Sequence, residues 1–275
     1  MNRSGLKNVV LILLLLVNFA AAAVLIHRSV SERAAAAALT SAAEDYLQQC
    51  GVTVTGGVLS GRSESYEIVR LSPDLDREVS TAAALLGPVE RHDSGAGNVE
   101  FTSARGSLRL GADGELEAYL AADPDLAVTS PAAARRAVLE LLGSALDLSS
   151  AATEVKADDG GFSVTVRDSL ANTPIENGEL LVRLQADGSL SLRGFWRLGS
   201  VSAELDSGPR IQAAAVAQYV SSCSGSVPFK KITEIQLVYW LYPEASGDLS
   251  IIPAYRLVTD GGEVVLDAIT AERLK

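Results

Sequence analysis

Histidine, cysteine and methionine are almost missing from this chain of 275 residues, which holds two, two and one of them. The scarcity of the first two narrows the chemistry. A metal site gathers several His, Cys, Asp or Glu side chains, and the usual Cys and His spacings are absent. His27 ends a long apolar run and reads as a polar interface residue. His92 lies in RHDSGAGN beside Asp93 and Ser94, read here as a loop. Three neighbours in sequence do not make a triad, whose members must converge in space from chosen directions. Gly95-Ala96-Gly97 lacks the third glycine and the strand–turn–helix setting of a dinucleotide loop. No P-loop, H-E-x-x-H or G-x-S-x-G occurs, and the pairs Asp158-Asp159 and Glu44-Asp45 read as solvated surface. The expectation is a protein that is not an enzyme, with no catalytic, cofactor-binding or metal-ligating residues.

Positive charge is in deficit. The chain has 23 basic and 34 acidic residues, a net charge of −11. Residues 1–33 hold four of the basic residues and one acid, so the remainder is more acidic still. Such a body is repelled by polyanions, which argues against nucleic acid as a partner.

Charge of either sign is absent from Val9 to Ile26, where 13 of 18 residues are Val, Leu, Ile or Phe. A spanning helix needs ~20 apolar residues, and each large apolar one contributes ~0.3–0.6 kcal/mol to insertion. The reading is a single-pass cell-membrane protein with a cytoplasmic tail at 1–8, a transmembrane helix at 9–27 and an extracytoplasmic remainder. Arg3 and Lys7 precede the span and Arg28 and Arg33 follow it, so the orientation rests on the short tail and the position of the anchor. A cleaved signal peptide would use Val9–Val17 as its core and Ala20–Ala23 as its cleavage site. The run through Val24, Leu25 and Ile26 favours an uncleaved anchor, and both readings export the rest. Export permits a disulfide between Cys50 and Cys223; two small, partly buried thiols are the other reading.

The one strongly polar residue of the run, Asn18, can hydrogen-bond across helices in lipid, worth ~0.6–2 kcal/mol. Ala21 and Ala22 share its face and allow close approach, and Leu14 and Leu25 extend the stripe. These five are the candidate partner-binding residues.

Beyond the anchor, Ser31–Gln49 reads as a helix that continues the span as a stalk, ended by Cys50-Gly51. Three further helices are expected after Ser72-Pro73, Ser130-Pro131 and Gly208-Pro209, because proline suits a first helical turn. Asp-Gly at Asp113, Asp187 and Asp260 separates alternating apolar runs, the signal of a tight hairpin. Strands are also expected at Val52–Leu59, Ser65–Leu71, Phe162–Arg167 and Ile232–Tyr242, with NTPIENG (Asn172–Gly178) as a turn-rich connection within a sheet. The fold class is α+β: tandem helix-plus-antiparallel-sheet units, with helices on one face. Asp123-Pro124-Asp125 is the best boundary, dividing the exported part into 28–123 and 124–275. Aromatics, only 5% of the chain, cluster late at Phe195-Trp196, Tyr239-Trp240 and Tyr242. One of each adjacent pair faces the core, and an outward one could anchor a partner.

With these residues in place the chain resembles the YycH/YycI family of Firmicutes. The opening LKNVVLILLLLVN is similar to YycI-type starts. The ending IIPAYRLVTDGGEVVLDAITAE is similar to the terminal hairpin of that family and of PepSY-type modules, through Pro253, Ala254, Arg256, Asp260, Gly261, Asp267, Ala268 and Thr270. Ala271 stands where a glycine is common. The resemblance covers the two ends and the repeat plan. It implies a regulator that restrains a membrane sensor histidine kinase of cell-wall metabolism, together with a sister YycH-type protein, through membrane-helix and exported contacts. It brings no catalytic residues and no cofactor.

Overall fold

The computed structural model describes residues 29–95, 97–158, 160–223 and 226–275. Helix α1 occupies 29–49. It leads through β1 (Thr53–Val54) and β2 (Ser63–Glu64) to β3 (Glu67–Ser72). Helix α2 (Leu75–Leu86) is followed by β4 (Glu90–Gly95), β5 (Asn98–Ser103), β6 (Gly106–Leu110) and β7 (Glu115–Leu120). A 3-10 turn at Pro124–Leu126 precedes α3 (Pro131–Gly143). Then come β8 (Ala152–Asp158), β9 (Gly161–Leu170), β10 (Thr173–Gln185), β11 (Leu190–Phe195) and β12 (Ser200–Asp206). The chain closes with β13 (Arg210–Ile211), α4 (Gln212–Ser222), β14 (Lys231–Pro243), β15 (Leu249–Thr259) and β16 (Gly262–Asp267). Among the described residues the fold is α+β, with curled, largely antiparallel sheet and four helices.

All three Asp-Gly hairpins form, as β6–β7, β10–β11 and β15–β16. Asp113 and Asp187 each accept the backbone N–H two residues on, at 3.1 and 2.9 Å, which closes the turn locally. Asp260 instead accepts the N–H groups of Lys230 and Lys231, both at 2.9 Å, and so ties its turn to the start of β14. Gly188 is at φ +81°, and a Cβ there would lie 1.9 Å from the Asp123 carbonyl oxygen. The Asp123–Asp125 stretch is therefore packed on the β10–β11 turn, and the strands on either side of it, β7 and β11, are paired along their length.

The helix starts obey the proline signal once. Pro131 is the first residue of α3, capped by the Ser130 hydroxyl accepting Ala133 N–H at 3.3 Å. Helix α2 begins two residues after Pro73, because Asp74 supplies the cap by accepting Arg77 N–H at 3.1 Å. Helix α4 begins three residues after Pro209: Arg210 and Ile211 are drawn into a short antiparallel pairing with Glu64 and Ser63. It has no side-chain cap of its own; the Ser60 carbonyl accepts Ala213 N–H at 2.9 Å instead. Two stretches read as loops are strands. RHDSGAGN forms β4 and enters β5, and NTPIENG opens β10 after a turn at Ala171 and Asn172, both at positive φ.

The strands make two bodies of sheet. One runs β8-β9-β10-β11-β7-β6-β5-β4, antiparallel throughout. Helices α2 and α3 lie on one face, burying Leu85, Phe101, Leu108, Leu142, Leu180 and Trp196. The other runs β12-β3-β15-β14, with β16 beside β15. Its core takes Leu47 of α1, Val216 and Tyr219 of α4, and Ile232, Tyr255 and Leu257 of the sheet. Strand β10 belongs to both: its start pairs parallel with β14 at Ile175–Tyr239, and its end pairs with β9 and β11.

Candidate docking surfaces and the joint between the sheets

The expected span, with Leu14, Asn18, Ala21, Ala22 and Leu25, lies outside the described residues, as does His27. Among the described residues no helix is long and apolar enough to cross a membrane. What is described begins with the stalk. Its residues 30–35 are exposed, and a close backbone contact with the body is made at Ala36. There Thr40 accepts Gly61 N–H at 2.8 Å and donates to the Ala36 carbonyl at 3.0 Å. Gly61 sits so close that a Cβ would lie 2.1 Å from that same carbonyl oxygen. Two turns further, Ala43 and Leu47 enter the core. The helix is therefore fastened into the body through its far half. A groove of about 590 Å³ runs between residues 29–39 of the helix and Gly61, Arg62, Ser63 and Ile211.

The joint between the sheets rests on a side chain. Asn177 donates to the Leu241 carbonyl at 2.9 Å and accepts Leu241 N–H at 2.8 Å, so its amide stands where a neighbouring strand's peptide would stand. Ile175, Tyr239, Leu241, Val69, Leu71 and Ile251 pack around it as a separate small core. On the outer side, Arg256 of β15 reaches Glu176 of β10 at 3.4 Å and also bonds Gln236. A cleft of about 670 Å³ opens there, lined by Arg167, Glu176, Glu179, Arg193 and Arg256. Among the described residues no histidine, cysteine, serine or threonine lines it. Opposite, Leu71, Leu75, Val99, Leu110, Leu198 and Leu249 wall an apolar groove of about 520 Å³, with Glu78, Arg91 and Asp93 also lining it.

Two buried polar sites flank these surfaces. Asp168 is fully buried with Arg197 Nε 2.7 Å from its Oδ2. The N–H does not point at that oxygen, so the contact is ionic, not a formed hydrogen bond. Burial pushes the Asp168 carboxyl up to about 6, and Arg197 draws it only part of the way back. Tyr66 and Tyr255 meet edge to face, with hydroxyls 3.2 Å apart, and the Tyr66 hydroxyl also donates to Glu64 at 2.9 Å. Burial, then the second tyrosine and Glu64, drive the Tyr66 phenol well above its ordinary range.

The other residues singled out from sequence are dispersed. His92 is exposed on β4, its ring 3.2 Å from the Thr102 hydroxyl. Among the described residues no group of three or more His, Cys, Asp or Glu is placed to hold a metal ion. Cys50 and Cys223 are both free thiols. Of the aromatics, Trp196 and Tyr239 are core, Trp240 is half-buried and Tyr242 is 47% exposed. Asn177, Gly61 and Thr40 were not anticipated. The one sequence signal for Asn177 was the alternation Ile175, Leu180, Val182, Leu184, interrupted by a register shift between Pro174 and Glu179.

The class these features define is a two-sheet α+β body joined through β10, with clefts on either side of the joint. No known family profile and no curated protein sequence matches the chain. Among solved structures, YycH from Bacillus subtilis has a TM-score of 0.40 at 15% identity, covering 75% of this chain and 53% of its own, so the chain spans about half of it. An uncharacterized protein from Eubacterium rectale has a TM-score of 0.39 at 13% identity, covering 82% of this chain and 89% of its own. The YpeB C-terminal domain of Bacillus megaterium has a TM-score of 0.32 at 11% identity, covering 74% and 96%.

Proposed function

We propose that this chain is a non-catalytic regulator, anchored in the cell membrane by residues 9–27, whose exported body docks a protein partner and passes that contact to the membrane through α1. The observation that supports this is the seating of α1. It is helical from residue 29, two positions beyond the expected span, and fastened to the body from Ala36 onward. A rigid rod clamped at one end into a core transmits displacement of that core. A partner shifts an equilibrium only by the difference in its affinity for two states, and such a rod lets the body and the span be felt as one ligand. The partner that the YycH/YycI resemblance implies is a membrane sensor histidine kinase of cell-wall homeostasis, restrained jointly with a sister YycH-type protein. Leu14, Asn18, Ala21, Ala22 and Leu25 would form the membrane contact.

Ala34→Pro tests the coupling. Proline inside a helix removes one hydrogen bond and clashes with the carbonyl four residues back, costing ~3 kcal/mol or more locally. Position 34 is exposed and precedes the clamp. The body should keep its melting temperature and its amount in the membrane, while kinase-dependent cell-wall gene output moves to that of a deletion strain. Unchanged output at normal protein level sinks the coupling. Asn18→Leu asks the same of the membrane face.

A second reading, an exported binding module for a peptide, protease or wall component, is favoured by the apolar groove between the sheets. Residues 29–275 expressed without the span separate the two readings: retained activity supports the module, and its loss supports the regulator.

A further inference from the structure

Strand β12 ends one sheet and is paired only with β3, so its outer backbone edge has no partner strand among the described residues. Of the edge strands β4, β8, β12 and β16, it alone carries exposed large apolar side chains: Val201 is 56% and Leu205 46% exposed. An exposed edge of this kind is a template for pairing with another chain.

Its two faces differ in chemistry. The register places Leu205 opposite Ile68 and Ala203 opposite Arg70. Ile251 pairs with Val69, and Ile252 with Trp240, so by alternation Leu205, Ile68, Ile252 and Trp240 lie on the same face of the sheet. On the opposite face Glu204 and Asp206 are exposed, with Asp206 paired to Glu67. Neither Glu204 nor Glu67 has an ion pair among the described residues, whereas Arg70, the nearest cation of β3, is held by Glu244 at 3.1 Å. A bulge between Val201 and Ala203 interrupts the regular edge, leaving Ala203–Asp206 free to pair.

We propose that the edge of β12 takes up an extended segment of a partner protein as an added strand, and that this segment alternates apolar and basic residues. Its apolar side chains would lie beside Leu205 and the Ile68 it pairs with, and its lysines or arginines would lie against Glu204 and Asp206. Main-chain hydrogen bonds supply the affinity in such strand addition, and the alternating side chains supply the specificity. Self-pairing is disfavoured by charge: two antiparallel copies centred on Leu205 would oppose Glu204 to Asp206, on chains of net charge −11. The proposal gives the docking reading a partner chemistry but does not need the stalk. Its test uses no membrane partner, so its failure leaves the coupling through α1 untouched.

The probe is a capped seven-residue peptide alternating lysine and valine, added to the full chain in detergent and followed by hydrogen exchange. Protection should appear over residues 200–207 and nowhere else. Glu204→Lys and Leu205→Asn, both at exposed positions, should each weaken it by about tenfold. A glutamate–valine peptide should give none. Absent protection, protection elsewhere, equal protection by the acidic peptide, or indifference to both substitutions overturns the proposal. So does a concentration-dependent dimer that Leu205→Asn dissolves, since a second copy would then be the occupant.

Discussion

Asp168 shows how a single group can be held against its own solvation. The carboxyl is buried, and the nearby Arg197 guanidinium does not donate squarely to it. An unfolded aspartate titrates near ~4, whereas here burial lifts the value to about 6. Folding therefore favours the protonated form. The stability this contributes is complete below the unfolded value and is lost as pH rises through about 6. Asparagine mimics the neutral acid, and Arg197 keeps Asp147 within 3.8 Å as a second carboxylate. Asp168→Asn should stabilise the protein at pH 7.5 by up to about 3 kcal/mol, with the gap closing towards pH 4. Urea unfolding at the two pH values measures it; an asparagine variant less stable at pH 7.5 would show that the ion pair outweighs desolvation.

At the scale of the element, α1 is where local and distant causes meet. Its alanines and its Cys50-Gly51 end were enough to make the helix legible. The clamp was not, because Thr40 and Gly61 are brought together by tertiary packing. Gly61→Ala should force the Ala36 carbonyl away, an overpacking cost of ~1–3 kcal/mol. Hydrogen exchange should then rise across 29–43 and stay unchanged across 98–120; unaltered exchange in α1 would mean that the clamp does not hold it. The hairpins were readable for the opposite reason. Asp113 and Asp187 cap their own turns within two residues. Helix α4 lies where its sequence places it but starts only at Gln212, because Arg210 and Ile211 answer to β2, which precedes them by almost 150 residues.

For the whole molecule, the decisive contact is Asn177 with Leu241. The two sheets share β10, and the amide replaces a peptide where parallel pairing runs out after Ile175. Asn177→Leu leaves the Leu241 N–H and carbonyl without these partners, at ~1–3 kcal/mol for each buried group left unsatisfied. Hydrogen exchange in rising denaturant, followed separately over 98–120 and 231–243, should show coincident transitions in the parent chain and separate ones in the variant. Transitions that still coincide would mean that the small core around Ile175 suffices.

Turns, caps and apolar alternation act through a few neighbouring residues, so the α+β class, the three Asp-Gly hairpins and the Ser130-Pro131 helix start could be read from the chain alone. The apolar run at Val9–Ile26 is a local signal of the same kind, but it lies outside the described residues. Other features depend on long-range pairing energies that no local pattern records. These are the sharing of β10 by two sheets, the recruitment of β1 and β3 from the N-terminal side into a sheet built mainly after residue 200, and the exposure of one edge at β12. There the same alternation that buries Leu184 leaves Leu205 in solvent, because only the assembled sheet determines which strand has a neighbour and which comes last.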